Sequence, residues 1–187
     1  MRSLSYADSG ISARRAIEVA MGAARGSGWE LGFFSNTGVI TPVLIEGFDD
    51  PAALLMRPDG LAGQWVVDFF QDGARTGWTR GAKLLWLRTA VITADGMRII
   101  ADADLEHPGV LKPLKLEHVY CLDQARMQAL HEIEERVDFM SVASRRRLDG
   151  NSSWEFTCFR AERTALGETL GIVGTVDVSG DGTEILQ

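Results

Sequence analysis

Two cysteines, three histidines and five prolines among 187 residues exclude several chemistries at the outset. Cys121 and Cys158 cannot build a multi-bridge disulfide framework and form no C-x-x-C pair. Both are read as reduced thiols that serve as small core residues. No H-E-x-x-H sequence is present either, so the zinc layouts legible from local spacing are missing, and no metal site is expected. Positive charge is also in short supply: 19 Lys and Arg face 26 Asp and Glu, leaving a net charge of −7. A field of that sign repels phosphate, so nucleic acid is not an expected partner. The longest apolar runs, Gly38 to Ile45 and Lys83 to Leu87, fall far short of the ~20 residues a membrane helix needs. Met1 to Asp8 carries no apolar stretch of the kind a secretory leader requires, and a cytoplasmic protein without membrane association is the expectation.

The signatures of phosphate and acyl chemistry are missing too. No G-x-x-x-x-G-K-[ST] loop occurs, and Gly26-Ser27-Gly28 continues with Trp29-Glu30-Leu31 rather than into a dinucleotide fingerprint. The nucleophile elbow G-x-S-x-G fails because Gly150-Asn151-Ser152-Ser153 runs into Trp154. No cofactor is therefore specified. Nothing in composition or repetition divides residues 1–187, which are read as a single domain.

What is present is secondary-structure pattern. Ala13, Ala16, Ile17, Ala20, Met21 and Ala24 recur at helical spacing between a Ser9 or Ser12 cap and Gly26. Aromatic and β-branched runs at Trp29 to Phe34, Gly38 to Ile45 and Gln64 to Phe70 read as strands, Pro42 marking an edge or a break. Asp49 to Gly63 reads as a loop with one helical turn, a candidate flap. Two runs around Ala94-Asp95-Gly96 predict a hairpin spanning Ala82 to Leu105. Alternation from Leu114 to Leu122 predicts a further strand, and Asp123 is placed to cap a helix from Gln124 to Phe139. A polar connection through Ser144-Arg145-Arg146-Arg147 then leads to strands Trp154 to Glu162 and Glu168 to Val178, with frayed last residues. Strands not separated by regular helices give an α+β class: a curved, mostly antiparallel sheet, a roll or incomplete barrel, packed against two helices.

Three constellations carry possible chemistry. From Arg98 to His107, a period of two puts Asp102, Asp104 and Glu106 on one strand face and Ile99, Ala101, Ala103 and Leu105 on the other. A solvated outer face explains the pattern without function; three carboxylates beside His107 explain it as an acid–base or cation-binding row. Arg88 shares parity with Leu84, Trp86, Ala90 and Ile92, and an inward guanidinium needs an anion. Either a carboxylate of a neighbouring strand, Asp68 among the choices, or an anionic ligand supplies it. His118 shares strand parity with Leu116, Tyr120 and Leu122, so it is expected to point inward. There it is either a core histidine bonded to backbone or a general base, with Asp104 as its acidic partner. His131 falls on the solvent side of its helix, and Glu132 with Arg136 forms an i,i+4 pair.

The leading functional reading is a small-molecule-binding roll with a partly apolar cavity: Trp86, Arg88 and Tyr120 bind the ligand. An enzyme using His118 and Asp104 in that cavity is one alternative. A homodimeric interaction module using a sheet edge near Pro42 or exposed aromatic surface is the other.

Overall fold

Ser12 opens the first helix as its sequence position implies: its Oγ accepts from the Arg15 amide at 3.3 Å. The helix, α1, runs Ala13–Ala24 and buries Ala13, Ala16, Ile17 and Ala20, while Arg14 and Arg15 pair with Glu18 on its solvent side. So narrow an alanine face lets a helix approach a sheet closely. The computed structural model describes residues 10–37, 54–72, 83–107, 113–146, 151–165 and 167–186. Its strands are β1 (Ile11–Ser12), β2 (Glu30–Ser35), β3 (Leu61–Ala62), β4 (Trp65–Asp72), β5 (Lys83–Thr93), β6 (Gly96–His107), β7 (Phe139–Arg146), β8 (Ser152–Thr164), β9 (Gly167–Ser179) and β10 (Ile185–Leu186). Two further helices, α2 (Leu116–Tyr120) and α3 (Leu122–Glu132), lie between β6 and β7.

β1 and β3 form a small two-stranded ladder; the other strands make one antiparallel sheet in the order β10-β9-β8-β7-β2-β4-β5-β6. The sheet is curved and is not closed into a barrel, so the expected α+β class with a curved antiparallel sheet holds. The order is that of two four-stranded meanders, β2-β4-β5-β6 and β7-β8-β9-β10, whose first strands meet antiparallel at the centre. Each meander is preceded by helix, α1 lying on β4, β5 and β6 and α3 on β8 and β9. Topology thus repeats where the sequence does not.

The seam between the meanders is thin. Ser35 opposite Ala143 is the register pair that joins β2 to β7. Side chains extend it: Ser144 Oγ accepts from the Phe34 amide at 3.0 Å, and Asn36, 0% exposed, acts like an added strand residue. Its Oδ1 accepts from the Val142 amide at 2.8 Å, and its Nδ2 donates to the carbonyls of Met140 and Leu54 at 3.1 and 3.3 Å. At the core Phe34 stacks on Trp65 at 4.8 Å and meets Trp154 edge-on at 6.4 Å. Trp65 Nε1 donates to the Ile11 carbonyl and Trp154 Nε1 to that of Gly180, so both indoles are satisfied inside.

The predicted hairpin is present, with Ala94 and Asp95 as its two-residue loop and Gly96 at φ 138°, a conformation other residues rarely adopt. The final two strands are present as well, β9 pairing with β8 along its length.

Other expectations need correction. Leu114 to Leu122 is not a strand: α2 and the start of α3 occupy Leu116 to Leu122, because burial there follows a period of three and four. Val119, Leu122, Ala125 and Ala129 are buried, and Val119, assigned to an outer strand face, is 2% exposed. The helix predicted to reach Phe139 ends at Glu132, and Phe139 begins β7, a strand hidden in sequence by its two serines and two arginines. One of those serines is the buried Ser144 of the seam. Arg136 is consequently off the helix and bonds Asp138 at 2.7 Å rather than pairing with Glu132. Part of the candidate flap is core: Leu54 and Met56 are buried and Met56 bridges Met140, whereas Asp59 is exposed. The last residues are tied down by β10, opposite Val178 and Asp177. Gly38 to Ile45, Pro42 included, lies outside the described residues.

Candidate functional site

Arg88 stands on the helix-facing side of β5 with Ala90 and Ile92, which are fully buried, so its strand parity is as expected. The guanidinium itself lies at the border of the core, half-exposed, with Nη2 donating to Asp102 Oδ2 at 2.8 Å. Asp102 is opposite Arg88 in the ladder, so the anion is a carboxylate of the paired strand. It is not Asp68, whose Oδ1 accepts from Thr89 Oγ1 at 2.5 Å on the other side of the sheet. Burial raises the Asp68 pKa above the ordinary aspartate value, and the Thr89 bond only partly opposes it.

A bulge decides what surrounds Arg88. Ala90 pairs with Ile99 and Thr89 with Ala101, leaving Ile100 as the extra residue of β6. The period of two therefore breaks at Ile100, and Met97 and Ile99 come to share a face with Asp102 instead of opposing it. That face meets the last turns of α1. Between them is a hollow of about 80 Å³ walled by Ala20, Ala23 and Ala24 of α1 and by Met97 and Ile99 of β6. Trp29, Phe69 and Arg88 line it too, the guanidinium lying 4.7 Å from the indole centroid. Ser27 also lines the hollow, but its hydroxyl donates to the Ala24 carbonyl at 2.5 Å.

The other sequence-selected residues are elsewhere. Tyr120 is on α2, 44% exposed, with the Arg14 guanidinium 5.3 Å from its ring. Arg14 and Ala24 are separated by about 15 Å of helix, at 1.5 Å per residue. Tyr120 and Arg88 thus serve opposite ends of α1, and the expected shared cavity is corrected. His118, also on α2, is half-buried against the turn after β9, where a Cβ on Gly180 would come within 2.7 Å of its Nδ1. That nitrogen is buried without a hydrogen-bond partner among the described residues. Desolvation, then nearby Lys115, lowers the His118 pKa, with Asp181 and Glu117 pulling the other way. Asp104 belongs to β6 at one edge of the sheet, whereas His118 sits beside β9 and β10 at the opposite edge, so the proposed acid–base pair is not assembled. The side chains of Trp86 and Asp104 lie outside the described part; the ladder sets these two residues opposite one another.

Cys158 is buried and its thiol is pushed up to about 11 by desolvation, which makes it inert; Cys121, half-buried at the α2–α3 junction, is also unbridged. Among the described residues no group of three His, Cys, Asp or Glu side chains is disposed to hold a metal, and no helix is long and apolar enough to cross a membrane. Sequence reasoning missed Trp29 and the alanine wall. The signal for the wall is the i, i+3, i+4 spacing of Ala20, Ala23 and Ala24. The chain matches no family model, no curated protein and no solved structure.

Proposed function

We propose that this protein binds a small ligand with an apolar body and an anionic group, in the hollow between α1 and the β5–β6 hairpin. The observation that carries the reading is Arg88, 4.7 Å from the Trp29 ring centroid in the lining of an alanine-walled apolar recess. Such a pairing offers a fixed cation beside apolar surface, the combination that orients an amphipathic anion. The lining supplies one guanidinium and one hydroxyl already donated to backbone, which favours binding over acid–base catalysis. The recess is smaller than the roughly 300–1,000 Å³ of sites that enclose a whole ligand, so it takes one end of the molecule and affinity is modest. The two unbridged thiols fit a reducing compartment, and the cytoplasm is the proposed location.

The test is ligand-observed NMR with benzoate and, as its uncharged counterpart, benzyl alcohol. Benzoate is expected to bind with a Kd on the order of 1 mM and benzyl alcohol not measurably. Arg88→Met should abolish binding, while Asp102→Asn, which removes the competing carboxylate, should tighten it. Opposite signs from the two substitutions exclude a shared folding defect. Equal binding of both probes, or weaker binding in Asp102→Asn, would sink the proposal.

A further inference from the structure

The turn that follows β9 is braced from within and from below. Ser179 Oγ accepts from the Thr183 and Glu184 amides at 3.1 and 3.0 Å, and Asp181 Oδ1 accepts from the Ser179 and Thr183 hydroxyls at 2.6 and 2.8 Å. Gly180 ties the turn to β8: its amide donates to the Ser152 carbonyl at 3.0 Å, and its carbonyl accepts from Trp154 Nε1 at 3.2 Å. Against this platform lies α2, five residues long and begun at Lys115 without a side-chain cap. So short a helix does not persist by itself and keeps its shape through what it touches. Val119 is its buried anchor, Tyr120 lies under the Arg14 guanidinium, and the His118 ring lies on Gly180.

The His118 contact leaves neither room nor a partner. A Cβ on Gly180 would stand 2.7 Å from Nδ1 and 2.9 Å from Cε1, and Nδ1 is buried without a hydrogen-bond partner among the described residues. The Ser152 carbonyl, which the same Cβ would meet, is already engaged by the Gly180 amide. A neutral imidazole suits such a place, because its proton can sit on Nε2 and leave Nδ1 a bare lone pair. An imidazolium does not: its second N–H would be buried against Gly180 with no acceptor, which costs the desolvation of that group. The charges that act on the ring are Lys115 and Glu117 from α2 itself and Asp181 from the turn, while Arg14 of α1 lies over Tyr120. Asp181 Oδ1 is occupied by Ser179 and Thr183.

We infer that α2 is a pH-operated latch: neutral His118 holds it shut on the turn after β9, and a proton on Nδ1 releases it. Burial, then Lys115, lowers the His118 pKa against the pull of Asp181 and Glu117, the direction expected of a group that closure keeps neutral. The closed form is therefore favoured above the ordinary value of 6.5 and loses ground as pH falls below it. The inference rests on the contact of α2 with the turn, independently of the ligand proposed for the hollow.

The test is amide hydrogen exchange followed by NMR at pH 7.5 and 5.0, each rate referred to that of an unstructured chain at the same pH. Protection of the Tyr120 and Cys121 amides should fall roughly tenfold between the two, while Val67 in β4 and Ala90 in β5 keep theirs. His118→Gln, which cannot take the proton, should show the same protection of α2 at both values. Gly180→Ala does by bulk what the proton does by charge and should lower the protection of Tyr120 and Cys121 already at pH 7.5. An equal fall in the wild type and in His118→Gln, a fall shared by Val67 and Ala90, or unchanged protection of α2 in the wild type would each overturn the inference.

Discussion

The two meanders share a plan and finish it differently. In the second, the contact between helix and sheet is closed: the Ile133 side chain occupies the space a Cβ would take on Gly174, and the turn after β9 presses Gly180 on His118 and Gly182 on the backbone of Cys121 and Ala125. In the first, Ala20, Ala23 and Ala24 of α1 face the outer strands, and the bulge at Ile100 turns Ile99 to the side on which Arg88 stands, leaving a recess. Glycine on the strand with a large side chain on the helix gives tight docking. Alanine on the helix with arginine on the strand gives an opening. The recess lies where the docking of helix on sheet is incomplete.

The largest effect is expected where the halves join. Asn36→Ala leaves the Val142 amide and the Leu54 carbonyl unsatisfied inside the protein and takes one of two donors from the Met140 carbonyl, at a cost of about 3 kcal/mol. Urea denaturation followed separately by tryptophan fluorescence and by amide exchange in β5 and β9 checks it. Loss below about 1 kcal/mol would show that the backbone pairs alone hold the seam.

The contrast between sealed and open helices is tested next. Gly182→Ala puts a methyl 2.8 Å from the Ala125 nitrogen, at a φ of 76°, and should cost about 2 kcal/mol. Ala23→Leu grows into the recess and should change stability by less than about 0.5 kcal/mol while abolishing benzoate binding. If both substitutions cost the same, the first half is as tightly docked as the second.

The smallest effects are those of pH, and the two halves respond in opposite directions. His118, with a lowered pKa, favours the neutral form when folded; below its ordinary value of 6.5 the unfolded chain takes up the proton more readily. Stability contributed there is present at higher pH and is lost as pH falls below 6.5. Asp68, with a raised pKa, favours the protonated form when folded, so its contribution is present below 3.8 and is lost as pH rises through the folded value. Thermal unfolding from pH 4 to 8 should therefore show His118→Gln flattening the decline on the acidic side. Asp68→Asn, which keeps an acceptor for Thr89, should gain stability at pH 7 and lose that advantage towards pH 4. A gain from Asp68→Asn that does not vary with pH would exclude titration as its cause.

Much of the architecture was legible because local signals agreed with tertiary demands. Ser12 with the alanine stripe and Asp95-Gly96 between apolar runs each had one outcome. The stretch from Leu114 to Leu122 satisfied two periods at once, and packing of Val119 and Ala125 chose the helical one. β7 was hidden because Ser144 looks like loop composition until Phe34 supplies an amide for it to accept. The site was less legible for a sharper reason: one extra residue, Ile100, reverses face assignment along half a strand, and no propensity marks it. Arg88 was chosen correctly as a residue that requires an anion, and its partner Asp102 belonged to the right strand. The shared inward face of Tyr120 and His118 rested on the parity of a strand that is a helix.

The central pair of β2 and β7, each the first strand of its meander, has the form of an isologous contact between two subunits, here made within one chain. In a dimer of identical subunits, any substitution that sealed one side would seal the other. Tandem linkage lifts that constraint. Ile133 over Gly174 can close one half while Arg88 over Trp29 leaves its counterpart open, so a single gene product has both a side specialised for rigidity and a side free to acquire a ligand.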